Sequence, residues 1–323
     1  MAPLLIVSVV LALAQAVSPS AELDQPLTPA ALSDLQHKAA NGDSAAQNHL
    51  GVLYRHGLGV DKSQADAVRW FRKAAKQGNS TAMFNIAASY YNGEGVAVDD
   101  AQAYTWFLLA EEGGSVPARD GVERLGAPLS LAERAEAFRK AGDMCLKGEE
   151  VPKDFDKALK WAERAAKAGD TDSMLWLAET YQEGRGVPKN AVRGLEWCRL
   201  AANNLSASGM YCLGHLYHEG IAVPKDFGLA AKWFAKAVEG AHVQAAYELG
   251  EMYLSGETGK VDRKKAFFYF VLSATAQFAP AESARGQLLG QLSTRETESV
   301  KKDVMRWIVA HQTPALARSL KAH

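Results

Sequence analysis

Two histidines and two glutamates in the second half of the chain have spacing that could bind a metal ion. His215 and His218 are three residues apart and Glu219 follows directly, while Glu251 lies 36 residues after His215. Imidazole and carboxylate groups are common ligands of zinc and other transition metals. No third histidine or cysteine is placed to complete the set, so solvated histidines are the simpler interpretation. We predict neither a metal nor another cofactor.

Two other stretches match catalytic motifs only in part. Residues 256–260, GETGK, lack the first glycine of a phosphate-binding loop, and Val261 replaces the serine or threonine that the loop requires. Ser299 and Lys302 have the S-x-x-K spacing of serine acyl-enzymes, but the S-D-N and K-T-G motifs that accompany it are missing. We therefore expect a protein that is not an enzyme.

The elements that carry these residues recur along the chain every 36 residues. In the stretch 46–78, AQNHLGVLYRHGLGVDKSQADAVRWFRKAAKQG, apolar residues have helical spacing on both sides of a glycine-rich turn. Tyrosine, glycine and tryptophan then return in the same register, apart from one break after Trp106. The recurring glycines are Gly57, Gly93, Gly148, Gly184, Gly220 and Gly256.

Each copy predicts two antiparallel helices joined by the glycine turn. Glycine tolerates positive φ and ends the first helix, and a side chain that accepts a backbone hydrogen bond begins the second. Because a helix of about 12 residues is marginal on its own, the pairs must stack on one another, which predicts an all-α solenoid. The predicted caps are Ser63, Asp99, Asp154, Asn190, Asp226 and Asp262.

The pattern resembles the Sel-one-like repeat (SLR) family, a branch of the tetratricopeptide-like helical repeats. A first helix ending in LY-x-x-G-x-G-V, a polar cap and a second helix A-x-x-W-[FY]-x-K-A-A-x-x-G carry the resemblance. It covers about residues 38–280, with the best copies at 45–78, 173–202 and 209–240. The resemblance implies a right-handed α-solenoid of antiparallel helix pairs that binds another protein or a peptide.

Irregular segments flank the regular copies. Ser130 with Glu133, and Ser293 with Glu296, form capping-box sequences that each open a long helix. We predict a linker over 17–27, an N-terminal cap helix and two repeats over 28–114, an irregular repeat or bend over 115–133, four repeats over 134–279, and C-terminal capping helices with a tail over 280–323.

The first 16 residues predict a secretory signal peptide. The apolar run PLLIVSVVLALA is followed by Ala14-Gln15-Ala16, a small-residue cleavage motif. Cleavage after residue 16, or as late as residue 21, predicts a periplasmic or secreted protein. An uncleaved anchor is the alternative, although the run is short for a membrane span. No later segment has the 18 apolar residues of a membrane helix, so we expect no integral membrane segment after cleavage.

The charge of the chain gives no reason to expect a nucleic acid partner. The sequence has 36 lysines and arginines against 37 aspartates and glutamates. A nucleic-acid-binding protein usually carries a basic surplus or a basic cluster. We therefore predict a protein or peptide partner and no nucleic acid.

The three cysteines are Cys145, Cys198 and Cys212. Cys145 takes a tyrosine position of the repeat and Cys198 lies on a packed helix face, so burial as small apolar residues is one interpretation. Cys198 and Cys212 are the only near pair, and an exported protein could oxidise them. The pairing in cysteine-rich members of the family corresponds here to Ala202 and Met210, so we do not expect this bridge.

The tetratricopeptide-like resemblance also implies a groove lined by the first helices of the repeats. Aromatic side chains there would supply apolar contacts and polar groups would fix the register of a peptide or protein. If the helical phase is shifted by one residue, Phe84, Tyr211 and Tyr247 instead pack between repeats. The predicted partner-binding residues are Asn48, Arg55, His56, Phe84, Tyr91, Asn92, Gln182, Glu183, Tyr211, His215, His218, Glu219, Tyr247 and Glu251.

We expect a non-enzymatic scaffold or regulator of the cell envelope. Two alternatives remain at this point. One is a cell-wall protein that binds or hydrolyses peptidoglycan or β-lactams, suggested by the predicted export and by cysteine-rich members of the family. The other is a metal-handling protein that uses the histidine pair.

Overall fold

The computed structural model describes residues 27–311, in which all regular secondary structure is α-helical. The predicted all-α solenoid of helix pairs is confirmed. The predicted signal peptide and the last 12 residues of the predicted C-terminal tail lie outside the described residues. The helices are α1 (Pro29–Ala40), α2 (Ser44–His56), α3 (Gln64–Ala75), α4 (Ser80–Asn92), α5 (Asp100–Glu112), α6 (Ala118–Gly126), α7 (Leu131–Lys147), α8 (Phe155–Lys167), α9 (Thr171–Glu183), α10 (Ala191–Asn203), α11 (Ala207–Glu219), α12 (Phe227–Glu239), α13 (Val243–Ser255), α14 (Arg263–Ala274), α15 (Ala279–Leu289) and α16 (Thr294–Ala310).

The helices form two compact units that divide between Asp170 and Thr171. In the first unit, three antiparallel pairs are formed by α2 with α3, α4 with α5, and α7 with α8. Helix α1 packs on α2, and the additional helix α6 packs on α5 between the second and third pairs. In the second unit, α9 to α14 form three more pairs, and both α15 and α16 pack on α14.

One hydrogen bond closes the glycine turn within every pair. In the first pair, the backbone N–H of Ser63 donates to the carbonyl of Tyr54 at 2.9 Å, and the same bond recurs between the corresponding positions of the other five pairs. Gly57 ends α2 in the left-handed region with φ 75°. Gly95 allows close approach, because a Cβ there would lie 2.3 Å from the carbonyl oxygen of Gln64. The turn therefore fixes where the second helix of each pair begins.

The predicted caps form as expected. The side chains of all six residues predicted to cap second helices accept a hydrogen bond from a backbone N–H in the first turn. Both predicted capping boxes are also present, at the start of α7 with Ser130 and Glu133 and at the start of α16 with Ser293 and Glu296. Each cap satisfies backbone donors that have no partner inside the helix.

Aromatic side chains of the second helices fill the core against small residues of the first helices. Phe71 of α3 lies over Gly51 of α2, where a Cβ would be 2.5 Å from the ring. Phe234 occupies the same position over Gly214 in the second unit, again with 2.5 Å to a Cβ. Both phenylalanines are fully buried. The glycines let the two helices of a pair approach closely enough to bury these rings.

The structure contains a disulfide between Cys198 of α10 and Cys212 of α11, so the expectation that this bridge is absent was wrong. The Cα atoms are 5.8 Å apart, within the usual range for a disulfide. Relative to the Ala202 and Met210 positions, both cysteines lie further from the loop that joins these antiparallel helices. Helices α10 and α11 pack on each other, and this packing brings the two sulfur atoms together.

Cys145 is buried and free, as the burial interpretation expected. Burial raises the pKa of its thiol to about 12. The thiolate is the reactive form of cysteine, so this side chain behaves as a small apolar residue of the first unit.

Candidate partner-binding surfaces

In the first unit, Arg55 is the centre of a polar network between α2 and α4. Its Nη1 donates to Oδ1 of Asn85 at 3.1 Å, and its Nη2 donates to the Asn85 carbonyl at 2.9 Å and to Oγ of Ser89 at 3.0 Å. The amide of Asn85 donates in turn to Oδ1 of Asn48 at 2.9 Å. Arg55 and Asn48, both predicted to bind a partner, thus bind the neighbouring helix of their own unit.

The surroundings of Arg55 leave it little contact with solvent. Its side chain is 15% exposed and its guanidinium lies over the ring of Phe71, 4.6 Å from the ring centre. Burial lowers the pKa of Arg55, and the carboxylate of Glu94, 3.5 Å from Nε, opposes this effect. Arg55 therefore holds two adjacent repeats together.

Phe84 is a core residue, which corrects its prediction as a partner-binding residue. It is 3% exposed, and its ring meets the ring of Phe107 of α5 edge to face with 5.5 Å between centres. This contact lies within one helix pair, whereas the alternative expected packing between repeats. Tyr91 is half-buried, and His56 and Asn92 are exposed near the ends of α2 and α4.

In the second unit, His218 of α11 lies between two carboxylates. Its Nδ1 is 2.7 Å from Glu219 and its Nε2 is 3.0 Å from Glu257. Burial on its own lowers the pKa of His218, but the hydrogen bonds to Glu257 and Glu219 outweigh it and the pKa is raised. The bond to His218 also lowers the pKa of Glu219. Both nitrogens donate when the ring is protonated, so the imidazolium links α11 to the turn after α13.

Two tyrosines of this unit pack on neighbouring helices and remain partly exposed. The ring of Tyr211 stacks on His242 with 4.4 Å between centres and 16° between planes. Tyr247 of α13 contacts Phe270, at 5.8 Å, and Phe278, at 5.6 Å. Both tyrosines are half-buried. The two positions therefore combine packing between repeats with a surface that a partner could contact.

Beside Tyr247, α13 carries two half-buried carboxylates, Glu248 and Glu251. Burial raises the pKa of both, and for Glu251 the neighbouring charge of Glu248 adds to this effect. No lysine or arginine of residues 27–311 forms an ion pair with either one. Glu248 was missed by the sequence-based prediction, since that prediction took alternate positions of the helix and passed over the residue next to Tyr247.

The remaining predicted residues lie at the ends of α9 and on α11. The amide nitrogen of Gln182 is 3.6 Å from the sulfur of Cys198 and 3.8 Å from that of Cys212, so this side chain rests against the disulfide. Glu183 is exposed and pairs with Arg185. His215 is exposed on α11.

In the part of the chain that the structure describes, the histidine pair and the S-x-x-K motif do not form a metal-binding or catalytic arrangement. There, no group of three or more histidine, cysteine, aspartate or glutamate side chains is arranged to hold a metal ion. Ser299 and Lys302, both on α16, form no hydrogen bond with each other. Of the helices between residues 27 and 311, none combines the length and apolar character that a bilayer span requires.

Six antiparallel helix pairs, each closed by a glycine turn, define this protein as an α-helical repeat protein of the solenoid class. The sequence profile of the Sel1 repeat matches residues 44–79, 80–115, 135–170, 171–204, 207–242 and 243–278, and the chain belongs to the Sel1 repeat family. Proteins of this family are generally scaffolds for protein interactions and are typically not enzymes.

Several solved structures are similar to this chain. A Sel1 repeat protein from Oxalobacter formigenes is 27% identical, with 76% of this chain and 88% of the other covered and a TM-score of 0.41. A protective antigen of uropathogenic Escherichia coli with an SLR fold is 21% identical over 91% of this chain and 90% of its own, with a TM-score of 0.29. An immunity protein from Pseudomonas aeruginosa is 20% identical over 79% and 85%, with a TM-score of 0.35. No curated protein matches the chain.

Proposed function

We propose that this protein is a non-enzymatic scaffold or regulator of the cell envelope that binds another protein or a peptide. The observation that carries the proposal is the surface of α11 and α13, where the rings of Tyr211 and Tyr247 are half-exposed and α13 also carries Glu248 and Glu251. The hydroxyl of Tyr247 donates a hydrogen bond to Glu251, and neither carboxylate pairs with a lysine or arginine of residues 27–311. Partly exposed aromatic rings are frequent anchors in protein interfaces, and polar groups beside them fix the register.

The rigidity of this surface favours binding. The disulfide of Cys198 and Cys212 fixes α11 against α10, and His218 ties the end of α11 to Glu257. A surface that is already ordered loses little conformational entropy when a partner binds. The partner therefore meets a preformed site.

A sequence prediction and a structural feature both support the location in the cell envelope. The sequence begins with a predicted signal peptide, and the structure has a disulfide, which persists mainly in oxidising compartments. N-terminal sequencing of the protein recovered from an envelope fraction checks this point. We expect a mature chain that starts at Val17, or as late as Glu22. Recovery from the cytoplasm with Met1 intact would contradict it.

Quantitative affinity capture from envelope extract tests the binding surface. The full chain is compared with Tyr211→Ala and Tyr247→Ala. Tyr54→Ala in the first unit is the matched control, because Tyr54 is a half-buried tyrosine outside the predicted partner-binding residues. We expect the captured amount of one protein to fall at least about tenfold with each variant of the second unit. This is the loss expected when an aromatic anchor is truncated. The captured amount should stay unchanged with the control.

A further variant separates binding from folding. Both tyrosines contact neighbouring helices, so their removal could loosen the unit, which circular dichroism would report. Glu248→Lys reverses a charge on the same surface, and Glu248 forms no hydrogen bond with either tyrosine. If this variant is folded and captures the same protein at full yield, and the tyrosine variants do as well, the proposed surface is wrong.

A further inference from the structure

A cleft of about 620 Å³ lies between α14 and α16 in the second unit. Its volume is within the roughly 300–1,000 Å³ of small-molecule sites. None of the predicted partner-binding residues lines it. The residues that define its chemistry are Lys264, Lys265 and Phe268 of α14 and Arg295, Ser299 and Val300 of α16.

The two carboxylates of the cleft are already neutralised. Glu296 accepts hydrogen bonds from the backbone and hydroxyl of Ser293 and pairs with Lys264 at 2.9 Å. These contacts lower the pKa of Glu296 to about 2. Asp303 pairs with Arg306 at 3.2 Å. Each carboxylate therefore has a cationic partner that offsets its charge.

Two cations of the cleft, in contrast, have no carboxylate partner within residues 27–311. Lys265 lies over the ring of Tyr253, with 4.9 Å from Nζ to the ring centre, and forms no ion pair. Arg295 is exposed near the start of α16. Arginine can bind the oxygens of a phosphate, sulfonate or carboxylate through two parallel hydrogen bonds. Two of the cationic side chains that line the cleft are thus without a carboxylate partner in the described part of the chain.

An apolar wall lies beside these cations. Val300 is buried, and the half-buried ring of Phe268 packs edge to face on Tyr269 with 5.1 Å between ring centres. Ser299 also lines the cleft. A ligand that satisfies both parts must carry an anionic group and an apolar body.

We propose that this cleft binds a small organic anion. Its phosphate, sulfonate or carboxylate group pairs with Lys265 and Arg295, and its aromatic or aliphatic body packs on Phe268 and Val300. Ser299 donates a hydrogen bond to the anionic group. This site is separate from the surface of α11 and α13, and its ligand is a small molecule.

Titration of the full chain with phenyl phosphate, followed by nuclear magnetic resonance of backbone amides at residues 293–303, tests the proposal. Inorganic phosphate and phenol are titrated in parallel. Phosphate has the anionic group without the apolar body, and phenol has the apolar body without the anionic group. We expect phenyl phosphate to bind at least about tenfold more tightly than either one. We expect Arg295→Glu to weaken it by about tenfold or more, the usual loss for one charge-assisted contact. Glutamate is favourable in the first turn of a helix, so this variant should fold.

Two further variants make the outcome decisive. Lys301→Glu has the same change of charge on the same helix, but Lys301 is outside the cleft beside Glu298, so phenyl phosphate binding should not change. Ser299→Trp fills the cleft without changing its charge and should abolish binding. Equal affinity for inorganic phosphate, equal weakening by Lys301→Glu, or full binding by folded Ser299→Trp would each overturn the proposal.

Discussion

The first helices of the repeats have different roles in the two units. Between α2 and α4 of the first unit, Arg55, Asn85 and Asn48 bind one another and hold adjacent repeats together. On α11 and α13 of the second unit, Tyr247 and Glu251 remain half-exposed, and no basic residue in the described part of the chain pairs with the carboxylate. The same repeat geometry therefore supports internal cohesion in one unit and an open polar and aromatic surface in the other.

The two units also differ in how their helices are held together. The second unit has a covalent link between α10 and α11, whereas the first has one buried thiol, Cys145. Polar contacts between helices serve the same purpose in the first unit.

The largest loss of stability is expected when the contacts between repeats of the first unit are removed. Arg55→Ala should lower the free energy of unfolding by about 4 kcal/mol, because it removes a largely buried charge and leaves the buried acceptors of Asn85 and Ser89 without their donor. Urea unfolding measures this loss. His56→Ala, at the exposed neighbouring position, should change stability by less than about 0.5 kcal/mol. A loss below about 1 kcal/mol for Arg55→Ala would show that the network does not hold the repeats together.

A smaller effect is expected from removing the covalent link of the second unit. Cys198→Ala with Cys212→Ala, or reduction of the wild type, should cost about 3 kcal/mol, since the cysteines are 14 residues apart and the link restricts the unfolded chain. Hydrogen exchange should become faster in α10 and α11 and stay unchanged in α2 and α4.

Reduction of the double variant is the control for this experiment, and it should have no effect. If dithiothreitol leaves the exchange of α10 and α11 in the wild type unchanged while mass spectrometry shows two free thiols, the disulfide does not support the unit.

The repeat architecture could be predicted from the sequence because its signals are local. Each glycine turn, cap and aromatic position lies within a single copy and is confirmed by the structure, as Gly57 and Ser63 show in the first one. Which face of a helix is buried is harder to predict from the sequence. An error of one residue in the assigned position turns a side chain by about 100° around the helix axis. This is why Phe84 was assigned to the surface although it lies in the core.

Contacts between copies could not be predicted in the same way. The partners of Arg55 lie 30 and 34 residues later, a separation that no sequence motif marks. The disulfide was missed because its cysteines depart from the positions used by cysteine-rich members of the family. Only the packing of α10 on α11 shows that Cys198 and Cys212 face each other. Long-range geometry is the information that the sequence pattern lacks.

The smallest expected effect is a pH dependence of the stability of the second unit. The pKa of His218 is raised in the folded state, so its ion pairs stabilise the second unit below the unfolded pKa of about 6.5, and this contribution disappears as the pH rises through the folded pKa. We expect about 1 kcal/mol, since half-exposed Glu219 is screened by solvent. Urea unfolding at pH 5.5 and 8.5 should show this difference in the wild type and lose it in His218→Gln.

His242 provides the opposite control for this measurement. Burial lowers its pKa, and its Nδ1 accepts the N–H of Ala245 at the start of α13. Its contribution is therefore present above about pH 6.5 and is lost as the pH falls towards the folded pKa. His242→Asn keeps a side-chain acceptor at this position and should remove that acid-sensitive part, while the stacking of Tyr211 on the imidazole is lost equally at both pH values. An identical pH dependence in the wild type and in both variants would contradict these assignments.

The hydrogen bond that closes each glycine turn determines where this chain can tolerate extra sequence. A residue added inside a turn would separate the amide of Ser63 from the carbonyl of Tyr54, or break the equivalent bond in another pair. The connection between α5 and α7 has no such bond to preserve, and it already accommodates α6. Exposed residues 127 and 128 are therefore the place where a fluorescent label or an affinity tag can be inserted with least disturbance.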